Sequence, residues 1–285
     1  MNIGVLASPA MGTVDIVFTA RVAEEVGFES IWCAEHPVIP VHYTTPYPGA
    51  PDGIIPSNYH RIVDPFIFLA RASGVTSRIK LGTGVCLIPE RNPLLLAKVV
   101  STLDHFSGGR FVFGIGTGWL KEQVEVMGGD FDHRWSQARE SLEVMKALWT
   151  RDAAEYHGKY FDFPAVKSFP KPAQKPHPPI LFGGGARDVF KRIVAHGDGW
   201  LPNRATPEDV ARARDTLDKL CAQAGRDPAT VSITAFHIFG PPDDPALIRA
   251  FFGAGAERVV VRPRDVYTED EMEAELRRLA GIHLS

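Results

Sequence analysis

The fold class is decided by residues 103–119, which read LDHFSGGRFVFGIGTGW. The glycine pair at 108–109 ends a helix, because glycine accepts the left-handed backbone found at many helix C-termini. Residues 111–115 are apolar apart from a glycine, as in a strand buried on both faces of a parallel sheet. Gly116 and Gly118 then leave bare backbone at the strand's C-terminal end, where α/β folds bind their ligands. The pattern predicts an α/β enzyme that holds a flat or phosphorylated cofactor at this edge.

Strand-like and helix-like segments alternate along the rest of the chain. The predicted strands cover residues 3–7, 30–34, 79–86, 110–115, 180–182, 199–201, 231–236 and 258–261. Eight strands alternating with eight main helices predict a (β/α)8 TIM barrel. Thr206 and Thr268 have the pattern of helix N-caps. We expect a single domain over residues 1–285, with insertion segments at about 35–64 and 153–179 on the C-terminal face.

Composition and charge exclude several kinds of partner. The net charge is −3 and no block of Lys or Arg stands out, so we expect no nucleic-acid binding through a basic face. Apolar runs are shorter than the ~20 residues that cross a bilayer, and the chain starts with a strand-like segment instead of a basic leader. We therefore expect a cytoplasmic protein without membrane association. The three cysteines form no CxxC pair, and the sequence predicts no metal site.

The predicted second strand is followed by Glu35, His36 and Pro37. Proline biases the residue before it towards an extended backbone, which would hold the imidazole of His36 near the barrel mouth. Histidine transfers protons near neutral pH, so His36 is a candidate catalytic residue, with a hydrogen-bonded structural histidine as the alternative. Glu35 is a candidate to orient the imidazole and join it in catalysis, or else to cap the loop.

Other candidates lie at the ends of four further strands. Gly82 and Gly84, in the segment GTGV at 82–85, indicate a bulge or the close approach of a ligand. Gly183, Gly184 and Gly185 stand between a strand and a helix, where free N–H groups suit a phosphate, although three glycines also permit a plain tight turn. His237, Arg262 and Arg264 follow the last two strands and could bind an anionic substrate.

The order and spacing of these pieces resemble the luciferase-like monooxygenase superfamily, and more narrowly its deazaflavin (coenzyme F420)-dependent oxidoreductases. The resemblance covers about residues 2–202 and becomes generic beyond them. The matching segments are AEEVGFESIW at 23–32, EHP at 35–37, LGTGV at 81–85, RNPLLLAK at 91–98, the stretch at 103–119 and GDGW at 197–200.

The resemblance implies that the deazaflavin lies at the C-terminal mouth of the barrel. A non-prolyl cis peptide would support its ring, by position between Gly84 and Val85. The glycines at 183–185 would receive its phosphate, and His36 matches the family's active-site histidine beside the cofactor. The loop lining the cofactor would contain Gly116, Thr117, Gly118, Trp119 and Glu122. Some members of the family have a catalytic acid at the position of Trp119.

The implied activity is hydride transfer between the reduced deazaflavin and a small organic substrate, with His36 donating or accepting the proton. Aromatic residues in the two insertions favour an apolar substrate. One alternative is an FMN-dependent monooxygenase on the same barrel, served by a separate flavin reductase. Another is a non-catalytic barrel that binds flavin. A homodimer is the expectation that the family brings.

Overall fold

The computed structural model describes residues 1–7, 12–185 and 187–284. Its strands are β1 (Asn2–Leu6), β2 (Ser30–Cys33), β3 (Lys80–Thr83), β4 (Cys86–Leu87), β5 (Phe111–Gly116), β6 (Ala154–His157), β7 (Asp162–Val166), β8 (Ile180–Gly183), β9 (Gly199–Leu201), β10 (Ser232–His237) and β11 (Arg258–Val261). Its α-helices are α1 (Ile16–Glu25), α2 (Pro65–Ser73), α3 (Pro93–Phe106), α4 (Lys121–Val126), α5 (Arg134–Thr150), α6 (Val189–His196), α7 (Pro207–Gln223), α8 (Pro245–Gly253) and α9 (Glu269–His283). Within this described part, no helix is both long and apolar enough to span a membrane.

Eight parallel strands close into a barrel, as the alternation of elements predicts. The strands pair in the order β3, β2, β1, β11, β10, β9, β8, β5, and β5 pairs back with β3 to close the ring. At the closure Leu81 lies opposite Phe111, and Gly82 lies opposite Val112. The predicted (β/α)8 fold is therefore confirmed, and all eight strand C-termini face one mouth.

The predicted third strand is broken near its end. β3 stops at Thr83 and the short β4 resumes at Cys86, with a cis peptide between Gly84 and Val85. The resemblance implied this cis peptide, whereas the apolar pattern alone predicted an unbroken strand over residues 79–86. Residues 84 and 85 thus leave the barrel wall at the mouth.

The inside of the barrel is filled by a packed core of side chains. Its buried apolar side chains are Trp32, Val112, Leu181, Leu201, Phe236 and Val260. The rings of Trp32 and Phe236 meet edge to face with their centroids 5.3 Å apart. A ligand at the mouth would therefore rest above filled space.

The two predicted insertions differ in structure. Residues 154–166 form an antiparallel hairpin of β6 and β7. Residues 35–64 contain one 3₁₀ turn, Ser57–Arg61, and end at the N-cap Asp64, whose carboxylate accepts the N–H groups of Phe66 and Ile67. Capping boxes begin α7 and α9 at the predicted residues, Thr206 and Thr268.

Candidate functional site

Val85, in the segment at 82–85, packs against glycines at the ends of two other strands that the sequence singled out. A Cβ atom on Gly116 would lie 2.6 Å from Cγ2 of Val85, and one on Gly183 would lie 2.7 Å from its Cγ1. The methyl groups of Val85 thus occupy the space beside both glycines. This packing accounts for glycine at 116 and 183 without any ligand.

Gly84 is held by the barrel interior. A Cβ atom at this position would lie 2.3 Å from the ring of Phe236, so a larger residue would have to displace the core. The N–H of Gly84 donates to the carbonyl of Cys33 at 2.7 Å. The strand break is therefore fixed to β2, just before Glu35 and His36.

Gly184 and Gly185 border open space, whereas Gly183 is packed against Val85. A Cβ atom on either would meet nothing within 4 Å, and Gly184 has a positive φ of 80°. Both border a cavity of about 460 Å³ that is also lined by Arg204 and Arg212. The N–H of Gly184 donates to the carbonyl of Leu201 at 3.3 Å, so the donors that suit a phosphate are the N–H of Gly185 and the two guanidinium groups. This donor set fits the anionic end of a flavin or deazaflavin cofactor.

Neighbouring groups hold the two arginines at the cavity. The guanidinium of Arg204 lies over the ring of Phe239, 4.6 Å from its centroid. Arg212 forms an ion pair with Asp209, one turn earlier on α7. Trp200, which also lines the cavity, donates from Nε1 to the carbonyl of Gly184 at 2.7 Å. An indole side chain therefore lies in direct contact with the glycine turn.

His36 is partly buried between aromatic rings. Its ring centroid lies 5.0 Å from that of Tyr59 and 6.0 Å from that of Trp119. Nδ1 lies 2.8 Å from Oε1 of Gln123. Burial lowers the pKa of His36, and the hydrogen bond to Gln123 only partly opposes this. At pH 7 the imidazole is therefore mainly neutral.

Gln123 connects His36 to a second buried group, Glu90. Nε2 of Gln123 donates to Oε2 of Glu90 at 2.8 Å. The other carboxylate oxygen, Oε1, is buried without a hydrogen-bond partner among the described residues. Burial raises the pKa of Glu90 to about 7 against the bond from Gln123. Sequence reasoning missed both residues, although Gln123 adjoins the predicted Glu122 and Glu90 precedes the quoted segment at 91–98.

Glu35 does not orient the imidazole of His36. Its carboxylate accepts the backbone N–H of Leu87 at 2.6 Å and forms an ion pair with the guanidinium of Arg91. Arg91 also bonds Asp64 at 2.7 Å. The expected contact with His36 is thus replaced by Gln123, because the carboxylate of Glu35 is already used by β4 and Arg91. These contacts favour the structural alternative for Glu35.

Glu122 anchors the first insertion. Its Oε1 accepts the N–H of Thr44 at 2.6 Å, the hydroxyl of Thr44 at 2.9 Å and the N–H of Thr45 at 3.2 Å. Burial alone would raise the pKa of Glu122, but these hydrogen bonds outweigh it and hold the pKa at about 2. Glu122, which we predicted to line the cofactor, thus connects the first insertion to α4 through hydrogen bonds.

Trp119 belongs to an aromatic cluster that the first insertion builds over the mouth. Its ring centroid lies 5.5 Å from that of Tyr47, whose hydroxyl lies 2.7 Å from the hydroxyl of Tyr59. Thr117 is buried, and Gly118 has a positive φ of 79°. A Cβ atom on Gly118 would also lie 2.7 Å from Val124. The loop after β5 therefore turns under the insertion and presents Trp119 beside His36.

The candidate anion-binding residues after β10 and β11 have local partners. Arg262 pairs with Asp265 at 2.6 Å, and Arg264 pairs with Asp243 at 2.9 Å. Nε2 of His237 lies 3.2 Å from the carbonyl of Pro241. Each of these residues thus has a local partner, and Arg262 also lies close enough to Tyr59 to oppose the rise in the pKa of its hydroxyl.

The chain is similar in sequence or fold to several known proteins. An uncharacterised protein of Mycobacterium tuberculosis is 40% identical over 228 residues, which cover 79% of each chain. The FMNH2-dependent dimethylsulfone monooxygenase of Pseudomonas putida is 29% identical over 225 residues, 77% of this chain and 56% of that enzyme. The coenzyme F420-dependent tetrahydromethanopterin reductase of Methanopyrus kandleri shares the fold, with a TM-score of 0.77 at 20% identity over 99% of this chain and 98% of that chain.

The sequence model of the luciferase-like monooxygenases matches residues 4–279, nearly the whole chain. The barrel and the cis peptide between Gly84 and Val85 stand where the resemblance implied them. The protein belongs to the luciferase-like monooxygenase family.

Proposed function

We propose that the protein is an F420-dependent oxidoreductase that acts on a small organic substrate at the barrel mouth. The observation that supports F420 most directly is the cavity of about 460 Å³ beyond Gly184 and Gly185, with Arg204 and Arg212 in its wall. FMN ends in one phosphate, whereas F420 continues beyond its phosphate into a carboxylate-bearing tail. Two guanidinium groups in a cavity of this size suit the longer anion.

Each part of the mouth has a separate task in this proposal. The N–H of Gly185, with both arginines, would hold the phosphate and the tail, and Val85 would support the ring. Bound deazaflavin supplies the hydride chemistry. The chain supplies the proton-transfer group, His36, whose lowered pKa keeps it available as a base near neutral pH. Trp119 and Tyr59 flank the imidazole and limit its access to water.

An FMN-dependent monooxygenase is the second candidate. The relative from Pseudomonas putida, by its name, uses FMNH2. The same glycine turn and arginines would accept the phosphate of FMN, and a separate flavin reductase would then supply the reduced cofactor. A barrel that binds flavin without turnover is the third possibility.

Titration with each cofactor distinguishes these candidates. We expect F420 to quench the tryptophan fluorescence of the protein saturably, and the R204Q and R212Q variants to weaken F420 binding at least about tenfold through loss of charge-assisted hydrogen bonds. R249Q, which removes an exposed arginine on α8, is the matched control and binds as the wild type. Turnover with reduced F420 and a panel of acceptors then separates an enzyme from a binder. Tight binding of FMN alone would overturn the F420 assignment in favour of the second candidate.

We also propose that the protein forms a homodimer. Ile67 on α2 and Leu95 on α3 are 68% and 65% exposed, and these two helices are neighbours on the barrel surface. Large apolar side chains exposed together are typical of a contact surface. Light scattering after gel filtration would show a dimer for the wild type and a monomer for L95E. A monomeric wild type would contradict the proposal.

A further inference from the structure

The hydrogen bonds from Glu90 through Gln123 to His36 have a fixed direction. An amide side chain has one donor end and one acceptor end, whereas an ionised carboxylate only accepts. Nε2 of Gln123 faces Oε2 of Glu90 at 2.8 Å, so Oε1 of Gln123 faces Nδ1 of His36, also at 2.8 Å. Because Oε1 cannot donate, Nδ1 must carry the hydrogen. The neutral imidazole then has its free electron pair on Nε2.

Above pH 7, where Glu90 is mainly ionised, its charge enforces this direction. Reversing the amide would place Oε1 of Gln123 against a carboxylate oxygen, with no hydrogen between them. The charged groups that influence Glu90 are Glu35, which disfavours its charge, and Arg91, which favours it. Glu90 is 3% exposed, so water cannot readily replace Gln123 as its donor. A buried carboxylate satisfied by one amide is therefore a strong constraint on that amide.

We propose that Glu90 and Gln123 are positioning residues that fix the Nδ1–H tautomer of His36 and direct its unprotonated Nε2 to the barrel mouth. Among the described residues, Nε2 of His36 has no hydrogen-bond partner, which leaves it free for a substrate. The part of this inference that concerns substrate rests on the proposed function. The tautomer itself is a property of the chain alone.

Because Nδ1 of His36 carries the hydrogen, Nε2 is the ring atom that can accept a proton. A histidine in the opposite tautomer would present a hydrogen from Nε2 when neutral and could not accept a proton there. Orientation of a catalytic histidine through its other nitrogen is a large effect in known enzymes. Here the neutral amide of Gln123 touches the ring, and the charge of Glu90 lies one side chain further away.

Nitrogen-15 NMR of the histidine ring in cofactor-free protein at pH 8 tests the inference. Unprotonated and protonated ring nitrogens have widely separated shifts, and H36N identifies the His36 signals. We expect wild type in the Nδ1–H form. Q123L removes the acceptor and shifts His36 to the Nε2–H form. E90Q keeps the shape but lets the amide turn, so both tautomers appear.

The matched control is Q137L, which removes a glutamine that donates to the carbonyl of Pro89 and accepts from the N–H of Asp130, so that neither bond involves His36. We expect its tautomer to equal that of wild type. A wild-type Nε2–H signal, or an unchanged tautomer in Q123L, would overturn the inference. An unchanged tautomer in E90Q would remove Glu90 from it. Failure of cofactor binding or turnover would overturn the proposed function instead, since the NMR experiment uses neither.

Discussion

Replacing Glu90 with glutamine should change the stability of the protein by an amount that grows as the pH rises. Burial raises the pKa of Glu90 from its ordinary value of 4.5 to about 7, so the folded protein binds this proton more tightly than the unfolded chain does. The stabilisation from the protonated carboxyl is complete below pH 4.5 and is lost as the pH rises through 7. The pKa difference corresponds to about 3 kcal/mol, and we expect about 1–3 kcal/mol after local relaxation.

The amide introduced by E90Q has no proton to lose and keeps the shape of the protonated acid. E90Q and wild type should therefore unfold at similar urea concentrations at pH 5, and E90Q should be more stable at pH 8. Urea unfolding of both proteins at several pH values between 5 and 8 measures the difference in the free energy of unfolding between them. The contributions of most other titrating groups cancel in this difference. If this difference does not change with pH, ionisation of Glu90 does not destabilise the folded protein and the reasoning is refuted.

E122Q is a control of opposite sign, because hydrogen bonds from Thr44 and Thr45 hold the pKa of Glu122 at about 2. The stabilisation from this carboxylate is present above its ordinary value of 4.5 and is lost as the pH falls through 2. E122Q should therefore be less stable than wild type throughout pH 5–8, by an amount that does not change with pH. If the difference in the free energy of unfolding between E122Q and wild type grew with pH as that of E90Q does, the assay would be reporting something other than these two groups.

Three further predictions concern other parts of the molecule. R258A removes the buried guanidinium that pairs with Glu29 at 2.6 Å and leaves Lys80 on that carboxylate, so it should cost about 1.5–3 kcal/mol in urea unfolding. A loss under about 0.5 kcal/mol would contradict this. G116A should displace Val85 and weaken cofactor binding in the fluorescence titration, with a destabilisation of about 1–3 kcal/mol. H36N should lower kcat at least about tenfold while the Kd of the cofactor stays unchanged, and an unaltered kcat would remove His36 from the reaction.

Much of the fold could be predicted because parallel barrel strands are buried on both faces and read as apolar runs between helical segments. The strand break at Gly84 and Val85 could not be read from that pattern. It was expected only from the family resemblance. The contacts of Gly116 and Gly183 were also beyond the sequence, since glycine at a strand end fits a ligand and a packed valine equally well.

The candidate site was predicted in part. His36 follows from its place after β2, and the glycine turn at 183–185 follows from its place before a helix. Gln123 and Glu90 could not be found this way, because they lie 33 residues apart and meet only when the 3₁₀ turn Ile88–Glu90 packs against α4. Nor does any local pattern reveal that Glu35 is used by Arg91 instead of by His36.

The most direct test of the account is a fluorescence titration of the purified protein with F420 and with FMN, because Trp200 bonds the glycine turn at the expected phosphate site. We predict saturable quenching by F420 at concentrations well below those needed for FMN, and loss of that preference in R212Q. If neither cofactor quenches the signal, the barrel mouth is not a deazaflavin or flavin site and the central claim is wrong.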